Sequence, residues 1–87
     1  MEPENDSFDV LLTSPEKVLF DGKAQSMILP GEQGVFEILT NHKPLMSRIF
    51  RGEIVIDGGT LLPIQRGIVR VLLNQVTVIV EPRASEH

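Results

Sequence analysis

Apolar residues along this chain come in short runs that break at turn residues before they reach helical length. Phe8, Val10 and Leu12 alternate with Asp9, Leu11 and Thr13, the period of two that turns one side of a strand toward a core. Ser14-Pro15-Glu16 ends this run. Val18-Leu19-Phe20 follows and meets Asp21-Gly22, a pair that predicts a tight turn. Ala24 to Leu29 predicts an extended segment closed by Pro30-Gly31, and Val35 to Leu39 predicts another. The loop Thr40-Asn41-His42-Lys43-Pro44 separates it from Leu45 to Phe50.

The second half repeats the style. Glu53 to Ile56 runs into Asp57-Gly58-Gly59. Thr60 to Gln65 contains Pro63, which cannot donate to a ladder, so this strand is expected at an edge or with a bulge. Ile68 to Leu73 and Val76 to Val80 flank Asn74-Gln75, read as the two-residue link of a hairpin. Val76-Thr77-Val78-Ile79-Val80 is almost wholly β-branched, which suits a pleated surface. The longest helix-compatible stretch, Leu45 to Arg51, is too short to stand alone. The pattern predicts an all-β fold, an antiparallel β-sandwich of about eight to ten short strands joined by short connections. Residues 1–7 read as a flexible acidic tail, 8–81 as the sandwich, and 82–87 as a short tail.

Composition narrows the function. With 87 residues the chain makes one domain, and a domain of this size buries only about 60% of its unfolded surface. Cysteine is absent, so no disulfide or thiolate site supports the core. The net charge of -4 disfavours a phosphate backbone, and without Trp or Tyr there is little to stack on bases, so no nucleic acid is expected as a partner. No apolar run approaches the roughly 18 residues of a membrane span. Met1 to Asp9 carries four acids and no base, the reverse of a signal-peptide start. The expectation is a soluble chain with no direct membrane insertion.

Chemistry is sparse. The two histidines are His42 and His87, with no paired ligands, so no metal site is expected. Asp21, Asp57 and Glu81 border strands, where acids solvate loop ends rather than form a catalytic pair. Pro30-Gly31-Glu32-Gln33-Gly34 lacks the Gly-Lys-Ser/Thr and following helix of a phosphate loop, and reads as a β-turn. His42 reads as an exposed or hydrogen-bonded loop histidine. Lys43, Arg48 and Arg51 form a basic cluster that reads as a solvated face. No catalytic residue and no cofactor emerges, which leaves binding as the function to expect.

The order of motifs resembles a known family. Phe8 to Thr13 followed by Ser14-Pro15-Glu16-Lys17-Val18-Leu19-Phe20-Asp21-Gly22 is similar to the opening of the ε subunit of bacterial and chloroplast ATP synthases. Pro30-Gly31-Glu32-Gln33-Gly34 resembles its Gly-rich turn, and Asn41-His42-Lys43-Pro44-Leu45-Met46 its Asn/Gly-His-x-Pro-Leu-Leu signature. Gly52, Gly67-Ile68-Val69-Arg70-Val71 and Asn74-Gln75-Val76-Thr77-Val78-Ile79 match later segments. The likeness covers Phe8 to Glu81. Val35 stands where the family usually has Glu, Arg66-Gly67 replaces Gly-Gly, and Val80-Glu81 replaces Ala-Asp.

The resemblance implies a β-sandwich that is a non-catalytic rotor subunit, docked on the γ subunit and on the loops of the c-ring. It implies a place at the cytoplasmic face of the membrane, as a peripheral part of the complex. It implies c-ring contacts at Glu32, Gln33, Val35, Asn41, His42 and Lys43, with the 32–35 turn and the 41–43 loop side by side, and it leaves the γ contacts open. Family members add a C-terminal helical hairpin that carries inhibition. Residues 82–87 are too few for one, so the expectation is coupling without inhibition. A stand-alone β-sandwich interaction module with another partner is the alternative.

Overall fold

A computed structural model describes residues 7–83, which form eight strands: β1 (Phe8–Thr13), β2 (Val18–Ala24), β3 (Ser26–Gly31), β4 (Gly34–Leu39), β5 (Leu45–Ile49), β6 (Gly52–Ile56), β7 (Thr60–Leu72) and β8 (Gln75–Pro82). Most of the two tails expected from the sequence, residues 1–6 and 84–87, lies outside the described residues. β7, at 13 residues, organises the rest. Its first part, Thr60 to Ile64, pairs with β6, and its second, Gly67 to Val71, pairs with β5. A bulge between Ile64 and Arg66 marks the change of partner, and bulges kink and twist the strand that carries them.

β8 runs antiparallel along almost all of β7, and β1 lies beside β8. β2 closes that side. On the other side β3 meets β6 at Met27 and Ile28 and β5 at Gly31, and β4 pairs with β3. Hydrogen bonds therefore link all eight strands in one sheet with β2 and β4 at its edges. Every strand sends side chains to one core: Phe8, Val10 and Leu12 from β1, Met27 and Leu29 from β3, Ile54 and Ile56 from β6, Val76, Val78 and Val80 from β8, with Ala24, Ile38, Ile49, Ile64, Val69 and Val71. The chain is all-β, as the period-two runs predict.

Several local expectations need correction. Asp21-Gly22 is not a turn: both residues lie inside β2, opposite Leu11 and Val10. Gly22 faces the same way as Phe20, whose ring passes 3.6 Å from where a Cβ would stand. The turn comes earlier, at 14–17. There the Ser14 hydroxyl oxygen accepts from the amides of Glu16 and Lys17 at 3.2 Å each, and Thr13 Oγ1 donates to the Lys17 carbonyl at 3.0 Å. Ser and Thr hydroxyls compete with the ladder in this way. Thr60–Gln65 and Ile68–Leu73 are one strand, not two. Pro63 fits the expectation of an edge or a bulge: the bulge between Ile64 and Arg66 is present, and residues 60–63 pair with β6 alone, the β8 ladder beginning at Ile64. The last hairpin turns at Leu73-Asn74, one residue before Asn74-Gln75, with φ of 53° and 60°. Positive φ at both link residues is the geometry that matches strand twist. Finally, β1 and β8 are parallel. They lie far apart in sequence, so no tight turn forces them antiparallel.

A Cβ on Gly67 would stand 2.5 Å from the Ile79 carbonyl oxygen and 2.9 Å from Val80 Cγ1. Gly67→Ala should cost about 2–3 kcal/mol, seen as a lower urea midpoint; an unchanged midpoint would show that the two strands give way easily. Leu73 is 83% exposed and holds a left-handed backbone that Asn tolerates far better. Leu73→Asn should stabilise the domain by about 1 kcal/mol in the same assay.

Candidate interaction surfaces

The six residues expected to share one contact surface occupy the two ends of β4. Glu32 and Gln33 form the link of the β3–β4 hairpin, closed by Gly31 opposite Gly34. Gly34 has φ of 116°, and a Cβ on Gly31 would stand 2.7 Å from the Phe36 ring, so both glycines are needed for this tight return. Val35 follows at the start of β4 and is 72% exposed.

At the far end of β4 the chain turns through Thr40-Asn41. Asn41 has φ of 66°, and the His42 amide donates to the Leu39 carbonyl at 3.2 Å. This loop is fixed to the β7–β8 hairpin by a pair of hydrogen bonds between Asn41 and Asn74. The Asn41 backbone N–H donates to Asn74 Oδ1 at 2.7 Å, and Asn74 Nδ2 donates to Asn41 Oδ1 at 2.9 Å. His42 Nδ1 lies 2.7 Å from the Lys43 carbonyl, which accepts from it, and Lys43 is exposed. The expected side-by-side placement is therefore corrected. Six strand residues separate turn from loop, roughly 20 Å at about 3.3 Å per residue. They are joined along one line, because β4 is an edge strand.

A second surface escaped the sequence reading. The outer face of β5, β7 and β8 presents Met46 and Arg48, then Arg66, Ile68 and Arg70, then Ile79 and Glu81, all exposed. Register sets Ile68 opposite both Arg48 and Ile79. Arg66 pairs with Glu81 across the strands, and the Arg48 guanidinium lies 5.9 Å from the centre of the Phe50 ring. Between Pro15, Phe50, Ile68 and Ile79 the face opens into a groove of about 860 Å³. Of the cluster Lys43, Arg48 and Arg51, the two arginines belong to this surface and Lys43 lies in the loop after β4. The full signal was the alternation of Arg66, Ile68 and Arg70 with Gly67, Val69 and Val71, visible only once β7 is known to have a buried face. Among the described residues no group of three His, Cys, Asp or Glu is placed to hold a metal ion. No helix among them is long and apolar enough to cross a membrane.

The family described as ATP synthase, Delta/Epsilon chain, beta-sandwich domain matches residues 7–84. This chain belongs to that family. An ATP synthase epsilon chain of Leptospira interrogans is 35% identical over 75 residues, 83% of this chain and 59% of its own length. That of Maricaulis maris is 42% identical over 73 residues, covering 80% of this chain and 55% of the relative. The chain thus spans a little over half the length of these epsilon chains. Two solved structures share the fold. One is a chain from the Tetrahymena thermophila mitochondrial ATP synthase central stalk/c-ring, with TM-score 0.72 and 18% identity, over 84% of this chain and 62% of that one. The other is a chain from the Euglena gracilis mitochondrial ATP synthase OSCP/F1/c-ring, with TM-score 0.76 and 16% identity, over 92% and 59%. For a delta/epsilon-type sandwich, the amide pair at Asn41 and Asn74 is a local fastening of the His42 loop to the hairpin. A double-mutant cycle with Asn41→Ala and Asn74→Ala should give a coupling energy of about 1 kcal/mol. Additive losses would show that the two amides act separately.

Proposed function

We propose that this domain is a non-catalytic part of the rotor stalk of an F-type ATP synthase, docking on the γ subunit and resting on the c-ring loops. In that role it helps couple proton or sodium transport to ATP synthesis or hydrolysis. It works at the cytoplasmic face of the membrane as a peripheral member of the complex. The observation that carries this reading is the family match across residues 7–84. The architecture suits the task. A rotor element has to be stiff, and here one hydrogen-bonded sheet encloses one core.

The c-ring contacts on this reading are Glu32, Gln33, Val35, Asn41, His42 and Lys43, set along the β4 edge rather than on two adjoining loops. Lys43 offers a positive charge to acidic or carbonyl groups on the ring, a rim contact of about 1 kcal/mol or less. Single cysteines at positions 35 and 42 should each crosslink to c-subunit loops in the assembled complex. Crosslinks formed only from the opposite edge, for example from position 21 on β2, would overturn the orientation.

A further inference from the structure

The outer face of β5, β7 and β8 concentrates the chain's guanidinium groups. Four of its five arginines, Arg48, Arg51, Arg66 and Arg70, lie on or beside this face, although the chain as a whole has a net charge of -4. β5 and β7 contain no acid. Glu81 of β8 is the carboxylate on the face, and it is engaged by Arg66. Along β7, Arg66 and Arg70 flank Ile68 at two-residue spacing, and Arg48 lies directly opposite it on β5. Arg48 and Arg70 are then diagonal neighbours, roughly 7–8 Å apart and somewhat closer at the Cβ atoms, a spacing at which one carboxylate can meet both guanidinium groups.

The apolar part is equally specific. Ile68 and Ile79 are a cross-strand pair, 50% and 53% exposed, and Met46 beside them is 69% exposed. Ile68, Ile79 and Phe50 line the groove of about 860 Å³, and Met46 lies outside it, opposite Arg70. Apolar, aromatic and Arg residues around a concavity make the composition of a protein-docking centre. Isolated exposed apolar residues are ordinary on a protein surface, whereas this set is contiguous and framed by arginines, with Glu81 already paired to Arg66.

We infer that this face selects a protein surface with an apolar centre and carboxylates at its margin, seated over Ile68 and Ile79 with an acid between Arg48 and Arg70. This rests on the stalk reading proposed above, on which the surface belongs to the γ subunit. A second copy of the chain is a poor occupant. A two-fold contact through this face would set arginines against arginines, and like charges across an interface are strongly unfavourable.

The test is binding of the chain to its cognate γ subunit, measured at low and at physiological salt. Reversing both central charges, Arg48→Glu with Arg70→Glu, should weaken binding about tenfold or more and flatten the salt dependence. The lysine pair, Arg48→Lys with Arg70→Lys, should keep the salt dependence, because it keeps the charge. Glu37→Lys, a charge reversal on β4 away from the groove, should leave affinity unchanged. All these positions are exposed, so thermal unfolding should stay close to that of the parent chain and report that each variant is folded. Equal binding by the parent and the charge-reversed variant would overturn this inference and leave the stalk reading standing. Failure of the parent chain itself to bind γ would overturn both.

Discussion

The structure depends on β7 serving two neighbours in turn on one side and a third along the other. Its first half belongs to β6 and its second half to β5, while β8 follows it from Leu72 back to Ile64. Through β6 and β5 it carries β3 and β4, and through β8 it carries β1 and β2. The close pairing with β8 needs Gly67, since any side chain there would meet the Ile79 carbonyl. The bulge at Gln65 lets the strand bend between its two partners. Its inward residues Ile64, Val69 and Val71 enter the core, and its outward residues Arg66, Ile68 and Arg70 make the charged face. One strand thus sets both how the domain closes and what it offers to a partner.

The core alone is small, so the corners are held by polar fastenings. Asp57 takes a left-handed backbone in the β6–β7 turn, and its carboxylate accepts from the amides of Gln25 and Ser26 at 2.7 and 3.0 Å. Ser14 organises the β1–β2 turn, and Asn74 fixes the loop after β4. Each is a short side-chain acceptor serving backbone N–H groups that the ladder leaves unpaired. Net values of about 1 kcal/mol for such bonds are modest singly, but they lie where β2 meets β3 and where the His42 loop meets the last hairpin. They oppose fraying at the places where a sheet bent over its own core is weakest.

Much of this fold was legible in the sequence, and the failures have physical causes. The alternation at Phe8–Leu12 and Val76–Val80 is a strand signal that survives any tertiary context, because both segments have one face in the core. Asp21-Gly22 misled because the pair that favours a tight turn also tolerates a strand, where Gly22 makes room for Phe20. The final hairpin was displaced by one residue because Leu73 is a poor candidate for positive φ, and Asn74 beside it is a good one. Pro63 fitted the expectation of an edge or a bulge, because its missing donor falls just before the bulge, where the β8 ladder has not yet begun. The parallel pairing of β1 with β8 leaves no local trace at all. For the surfaces, the resemblance named residues on both ends of β4 but not the strand that connects them. The arginine face stayed hidden because its members come from three separate strands.

The two surfaces differ in kind, and that difference bears on how a stalk element works. β4 is an edge two strands removed from β5 in the sheet order, whereas the arginine face lies on β5, β7 and β8. Partners on the two surfaces therefore need not compete. The edge exposes Val35, Leu39 and the singly charged Lys43, a small and largely solvated set. The face offers a concave apolar centre framed by guanidinium groups, whose burial removes far more apolar area and whose charges discriminate between partners. A rotating element fits this asymmetry if it is held tightly by one subunit and rests on another. The hydrogen-bonded path β7–β5–β3–β4 joins the two surfaces through laterally paired strands, a stiff linkage between whatever each surface meets.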